Sequence, residues 1–302
     1  MERSRTLREL FSDMFRIGGQ NFLKMFALTG PFMGLAALII CLSEASLLGM
    51  AQTPPASTAW DGTSAYLSTG AAFLGEIVLL FLSTFIGAYN YQIAFSSLGG
   101  ENISIREGLR RAGRTFLRLV LNGLCLVVLL YAALFVLLLL AVPSLTGAGL
   151  AGVLTPWSYS LTGTVILLWI IWLGLAFAAL HISFVTPHTL YTGRCGFPAI
   201  FKSIGIFFRG RYGRNLGHIL LLNLCAGVFA YAGMQLMGTG AFFSPEGGVF
   251  FWIGVFLMML AYGAVMQFSV VGNCMVYLSA KHDADAKEAE RQADFWNGSG
   301  AR

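Results

Sequence analysis

Charge is scarce in this sequence: only 11% of its 302 residues are Asp, Glu, Lys or Arg and 57% are hydrophobic. Soluble domains carry about 25% charged residues, so a soluble globular fold is excluded. Positive charge is missing altogether from long stretches. All nineteen Lys and Arg fall into four blocks, Arg3 to Lys24, Arg106 to Arg118, Arg194 to Arg214 and Lys281 to Arg302. Between the blocks lie apolar runs of a length that matches a hydrocarbon core about 30 Å thick at about 1.5 Å per residue. Lys and Arg collect in short cytoplasmic segments beside membrane spans. Four basic blocks alternating with three base-free loops therefore predict an even number of spans and cytoplasmic termini.

Other absences narrow the chemistry. The five cysteines, Cys41, Cys125, Cys195, Cys225 and Cys274, form no CxxC and no paired spacing, which argues against a disulfide framework or a zinc site. There is no GxSxG, no Walker loop, no HExxH and no carboxylate pair at catalytic spacing, so the reading is non-enzymatic, with no catalytic residue, no metal and no cofactor. Asp283 and Asp285 resemble a DxD but stand among Lys287, Glu288, Glu290 and Arg291 in a charged tail. The first apolar run, Met25 to Met50, is too long for the h-region of a cleaved signal peptide. The net charge of +5 points to anionic lipid of the cytoplasmic leaflet and away from nucleic acid, because the bases flank the spans.

What is present reads as six spans, near Leu23–Met50, Leu67–Leu98, Phe116–Val142, Ser160–Thr186, Asn215–Gly240 and Val249–Ala280. The intervening outer loops are Ala51–Tyr66, Pro143–Tyr159 and Ala241–Gly248. Trp60, Tyr66, Trp157, Tyr159 and Trp252 mark outer interfaces. Pro31 is expected to kink the first span. Thr6-Leu7-Arg8-Glu9 and Ser104-Ile105-Arg106-Glu107 read as capping boxes, and Gly196-Phe197-Pro198 as a start with proline in the first turn. Each leads into about ten amphipathic residues of the kind that lie in a membrane interface. The segments before spans one, three and five are self-similar, with Asn21-Phe22-Leu23-Lys24 echoed by Thr115-Phe116-Leu117-Arg118 and more faintly by Asn215-Leu216-Gly217-His218, where Gly210, Gly213 and Gly217 loosen the elbow.

The fold class is therefore all-α: a polytopic membrane protein with six transmembrane helices arranged as three tandem units of interfacial amphipathic helix plus helical hairpin. One membrane domain covers 1–280, with pseudo-repeats 1–100, 101–193 and 194–280, and a charged cytoplasmic tail covers 281–302. Gly30 and Gly34 form a GxxxG that allows close helix contact.

Two sets of candidate site residues follow. Arg106, Arg110, Arg111, Arg114, Lys202, Arg209, Arg211 and Arg214 are placed to contact lipid phosphates at the cytoplasmic headgroup plane, with topology enforcement as the alternative role. Glu76, Asn122, His181, His218 and Asn223 form a candidate intramembrane polar site, since polar groups in hydrocarbon are costly. Glu44 lies nearer the outer end. Asn90, Gln92, His188, Gln267 and Asn273 share the inner half of their spans, with only Gln235 in the outer half, which suggests a vestibule or simple helix–helix bonding.

The elbow-plus-hairpin pattern, carried by Tyr91-Gln92-Ile93-Ala94, Ser104 to Arg110, Thr186-Pro187 and Phe201-Lys202-Ser203, resembles bacterial six-span membrane proteins of the YciC-like group. It is also similar to the membrane domain attached to some glycerophosphodiester phosphodiesterases, although the phosphodiesterase domain itself is absent. The resemblance implies a fold and no activity, and carries no site residue across. The expected role is a lipid-interacting integral protein of the bacterial inner membrane, acting as scaffold, accessory or subunit of a larger membrane complex. Its partners would be anionic phospholipids and other membrane subunits, with no nucleic acid. The alternatives are a small-molecule or lipid transporter using Glu76 and the inner polar groups, and a pigment- or cofactor-bearing subunit.

Overall fold

A computed structural model of the chain describes residues 6–52, 59–151, 173–239 and 249–299. The described residues are helical almost throughout. The helices are α1 (Leu7–Gln52), α2 (Ala59–Leu98), α3 (Ile105–Ala151), α4 (Val185–Thr192), α5 (Phe197–Arg209), α6 (Tyr212–Thr239) and α7 (Val249–Ser299). A further helical stretch, 173–182, leads through a turn at Ser183 and Phe184 into α4. The side chains of Cys41, Glu44, Trp60, Tyr66, Glu76, Trp157, Tyr159, Gln235 and Trp252 lie outside the described residues, as do the outer-loop segments 53–58, 152–159 and 241–248.

The all-helical reading holds, but six spans do not. Among the described residues four segments are long and apolar enough to cross a membrane: Ile77–Leu98, Ile105–Ala133, Leu173–Thr192 and Phe256–Gln292. Part of the expected first span, Leu23–Met50, lies outside the described side chains, and its described part gives no such segment. The expected fifth span, Asn215–Gly240, likewise gives no such segment among the described residues, whose side chains end at Val228.

The three-unit architecture is corrected as well. α1 runs unbroken for 46 residues and α3 for 47, so no elbow separates an interfacial helix from a span in either. Extending an existing helix adds one hydrogen bond per residue fixed, whereas an elbow discards several. Nothing in Thr115 to Arg118 forces that loss. Pro31 sits inside α1 without ending it. Only the third unit breaks, at Gly210 and Arg211 between α5 and α6. There a Cβ on Gly210 would meet the Asn215 amide at 2.9 Å, so the chain turns where only glycine fits. α7 runs on through 51 residues to Ser299, so the described part of the charged tail is helical.

Local signals set the helix starts. Thr6 N–H donates to Glu9 Oε2 at 2.8 Å and Glu9 N–H to Thr6 Oγ1 at 3.3 Å, a complete capping box. The second box is half made. Glu107 N–H donates to Ser104 Oγ at 3.3 Å, but the Glu107 carboxylate turns to Arg110 and Arg111. α5 begins at Gly196, whose φ of 79° is a left-handed value, with Pro198 in the first turn.

Among the described residues, the core lies at the end of the bundle that holds the basic residues. α1 lies along α7 and α2, α2 against α3, and α6 against α7, while the short α4 and α5 fill the space between. The core joins Leu10, Met14 and Met25 of α1 with Tyr89 and Ile93 of α2, Phe184, Phe207, Ile219 and, on α7, Met275 and Tyr277. Close approach of α1 and α7 depends on small residues. A Cβ on Gly18 would strike Phe268 at 2.6 Å, and one on Gly34 would strike Phe256 at 2.7 Å. Of the GxxxG pair, Gly34 thus serves the neighbouring helix, whereas Gly30 abuts Phe26 of its own helix.

Candidate functional site at the basic end

The eight basic candidates separate by what the fold does with them. Arg110 and Arg111 are held by Glu107 at 2.8 and 3.0 Å, and Arg111 also reaches Ser96 and Glu101. Arg214 pairs with Asp283, both side chains largely shielded, and also donates to Ser279 Oγ. Asp283 therefore belongs to the packed bundle and not to a solvated tail. Arg209 sits 3.7 Å from Glu288, with both side chains more than 60% exposed; such exposed pairs contribute little. Arg106, Arg114, Lys202 and Arg211 form no ion pair and no side-chain hydrogen bond among the described residues, and all four are exposed.

The candidate polar site is not gathered into one place. Asn122, on α3, clamps the chain where α4 ends: its amide donates to Thr189 Oγ1, and Gly196 N–H donates to Asn122 Oδ1 at 2.6 Å. His181 is fully used too. Its Nδ1–H donates to the Phe177 carbonyl at 2.7 Å, and its Nε2 accepts from the Tyr212 hydroxyl at 3.1 Å, a tautomer assigned from the network. Asn223 donates to the Ile219 carbonyl and lines a cavity of about 310 Å³ between 173–182, α6 and α7. That cavity takes Asn273, which bonds the Tyr91 hydroxyl at 2.8 Å, and not Asn122 or His181. His218 is buried on α6. The backbone at Glu76 lies in α2. Among the described residues no three His, Cys, Asp or Glu side chains could hold a metal ion together.

A second cavity, of about 370 Å³, opens at the basic end between α4, α5 and α7. His188, only 1% exposed, lies at its floor, with Lys202 and Arg209 on one wall and Lys281 on the other. His188 Nδ1 faces the Tyr277 hydroxyl at 2.9 Å, while its Nε2 has no partner among the described residues. Lys281 bonds Asp285 at 2.5 Å and stands 5.4 Å over the Tyr191 ring.

Sequence reasoning passed over Tyr277, Tyr212, Lys281 and Lys24. Lys24 reaches across to Asn102 and the Ile103 carbonyl, and its own carbonyl accepts from Tyr89 at 2.7 Å. Only the Lys281–Asp285 spacing, i and i+4, was readable without the fold. Comparison with family models, characterised proteins and solved structures finds no match to this chain.

Proposed function

We propose that this helical membrane protein is a non-enzymatic, lipid-interacting component of the bacterial inner membrane, with its basic end on the cytoplasmic side. In that role it serves as scaffold, accessory or subunit of a larger membrane complex. The observation that carries this reading is the set Arg106, Arg114, Lys202 and Arg211. These four cations keep no protein partner among the described residues, at the end where apolar spans terminate. Phe197, Phe201 and Phe208 are 39%, 60% and 51% exposed on α5 beside them. Aromatic rings and unpaired bases side by side suit the headgroup level of an anionic leaflet. A role in enforcing topology uses the same charges and is compatible with lipid binding.

The expected outcome is that delipidated protein in neutral detergent, examined by native mass spectrometry, retains phosphatidylglycerol in preference to phosphatidylcholine. The combined Arg106→Gln, Arg114→Gln and Arg211→Gln protein retains less of it. Equal retention of the two lipids by the unaltered protein removes the reading. A reporter fused after Gly100 should be active on the cytoplasmic side, and a pull-down from native membranes in mild detergent shows whether other subunits accompany the chain.

A further inference from the structure

The geometry points to the cavity between α4, α5 and α7 as a specific pocket for the phosphate ester of a phospholipid headgroup. This rests on the lipid-interacting reading above and replaces a diffuse basic surface with one site of defined donors.

The floor supplies the first donor. Tyr277 is fully buried, and among the described residues its hydroxyl's hydrogen-bond partner is His188 Nδ1. A buried hydroxyl gives its hydrogen to an available acceptor, so the imidazole hydrogen stands on Nε2. That N–H has no acceptor among the described residues, and a buried donor left unmade costs about 1–3 kcal/mol. His188 lines the cavity, and a side-chain shift that opens Nε2 to it lets a ligand oxygen remove the deficit.

The walls supply charge. Lys202, free of any ion pair, stands across from Lys281. Arg209 is held only by an exposed Glu288 at 3.7 Å, so its planar fork can turn inward to an incoming anion. Three cations face the two carboxylates of Asp285 and Glu288 around the cavity, which leaves a net positive site. Electrostatically, Lys202, Arg194 and Lys281 all act on the His188 ring. Donors on the floor and on one wall suit the tetrahedral oxygens of a phosphate better than a planar carboxylate. The mouth supplies the lipid character. Phe201 lines the opening at 60% exposure, and Phe208 and Tyr191 are exposed nearby at 51% and 53%, giving acyl chains an apolar path out of the headgroup site.

The test uses the full chain, delipidated in neutral detergent and titrated under native mass spectrometry with dihexanoyl phosphatidic acid, dihexanoyl glycerol and inorganic phosphate. The expected result is one phosphatidic acid per chain, none of the phosphate-free glyceride at the same concentration, and no displacement by equimolar inorganic phosphate. Lys202→Ala weakens that binding by about tenfold or more, the loss of one charge-assisted hydrogen bond. Lys202→Arg keeps it. Because Lys202 is exposed, folding is not at stake in these variants. Binding unaltered by Lys202→Ala overturns the pocket, and displacement by equimolar phosphate overturns its assignment to lipid. If binding falls with Arg106→Gln and not with Lys202→Ala, the pocket fails while the surface reading stands. Loss of all lipid preference in the unaltered protein removes both.

Discussion

α3 and α7 are both long and apolar, yet the bundle treats them in opposite ways. Over an 18-residue apolar stretch of Ile105–Ala133, the most apolar of the four spanning segments, 11% of the residues are buried within the protein; over the corresponding stretch of Phe256–Gln292 the share is 39%. Leu117, Leu121, Leu124, Val127 and Val128 stand exposed along α3, whereas Val271, Cys274, Met275, Val276 and Tyr277 are enclosed on α7. The more hydrophobic helix is the less packed one. In water that order would be reversed, because apolar area drives burial. In lipid, acyl chains solvate leucine as well as another helix does, so association falls to small residues that let backbones approach and to polar groups that bond across. α7 has both, with Gly263 against Met33, Gly272 against Leu222, and Asn273 bonded to Tyr91. Among the described residues, α3 meets its neighbours through Ala112, Leu119, Asn122 and Cys125.

The comparison breaks most decisively at Tyr277. Its ring is fully buried and meets Phe95, Phe184, His188 and Tyr191 edge-on, with centroids 5.6 to 6.3 Å away, and its hydroxyl fixes His188. Tyr277→Ala leaves an aromatic-sized cavity, for which core truncations cost about 3–5 kcal/mol. Reversible unfolding in mixed micelles should register a loss of that order. A loss below about 1 kcal/mol would mean that α7 is not the helix around which the bundle is built.

Intermediate in size is the effect at Asn122, where buried polar bonds tie α3 to the α4–α5 connection. Asn122→Ala strips the Gly196 N–H of its acceptor and the Thr189 hydroxyl of a donor. An orphaned buried donor costs about 1–3 kcal/mol, although interhelical bonds in membranes average under about 1. A destabilisation near 1 kcal/mol in the same assay is expected. Hydrogen exchange at Gly196 should also rise, because that amide loses its only side-chain acceptor. Unchanged exchange there would show that α4 and α5 are held without α3.

Features of short range were legible in the sequence. The Thr6–Glu9 box, the glycine-and-proline start of α5 and the break at Gly210 each depend on residues within one turn of one another. The second box was only half readable, since Arg110 and Arg111, three and four residues on from Glu107, compete for the carboxylate that Ser104 N–H would need. Features of long range were not legible. Asn122, His181 and Asn223 lie in the inner part of their helices, and depth alone suggested one shared vestibule. Depth does not fix the rotation of a helix about its axis, and packing turned each of them to a different neighbour. Arg214 and Asp283 are 69 residues apart, and no spacing rule connects them. The continuity of α1 and α3 was missed because a change from basic to apolar composition looks like a boundary, while the backbone has no reason to stop.

The smallest expected effect is the sharpest test of the contrast. Leu124 is 59% exposed on α3. In a water-soluble core, Leu→Ala costs about 2–5 kcal/mol through lost transfer energy and a cavity. Here neither term applies: acyl chains fill the space the side chain leaves, and the side chain gives up a lipid contact in both folded and unfolded states. Leu124→Ala should therefore shift micellar unfolding by no more than about 0.5 kcal/mol, the range of surface changes that touch no packed feature. A cost above about 2 kcal/mol would place this face of α3 against protein. The natural candidate would then be a partner subunit along the Leu117–Val128 stripe, and cross-linking from a cysteine at Leu124 in native membranes would capture it. A shift near zero, set beside the large loss at Tyr277, would establish that apolar character and packing are separate properties of these two helices.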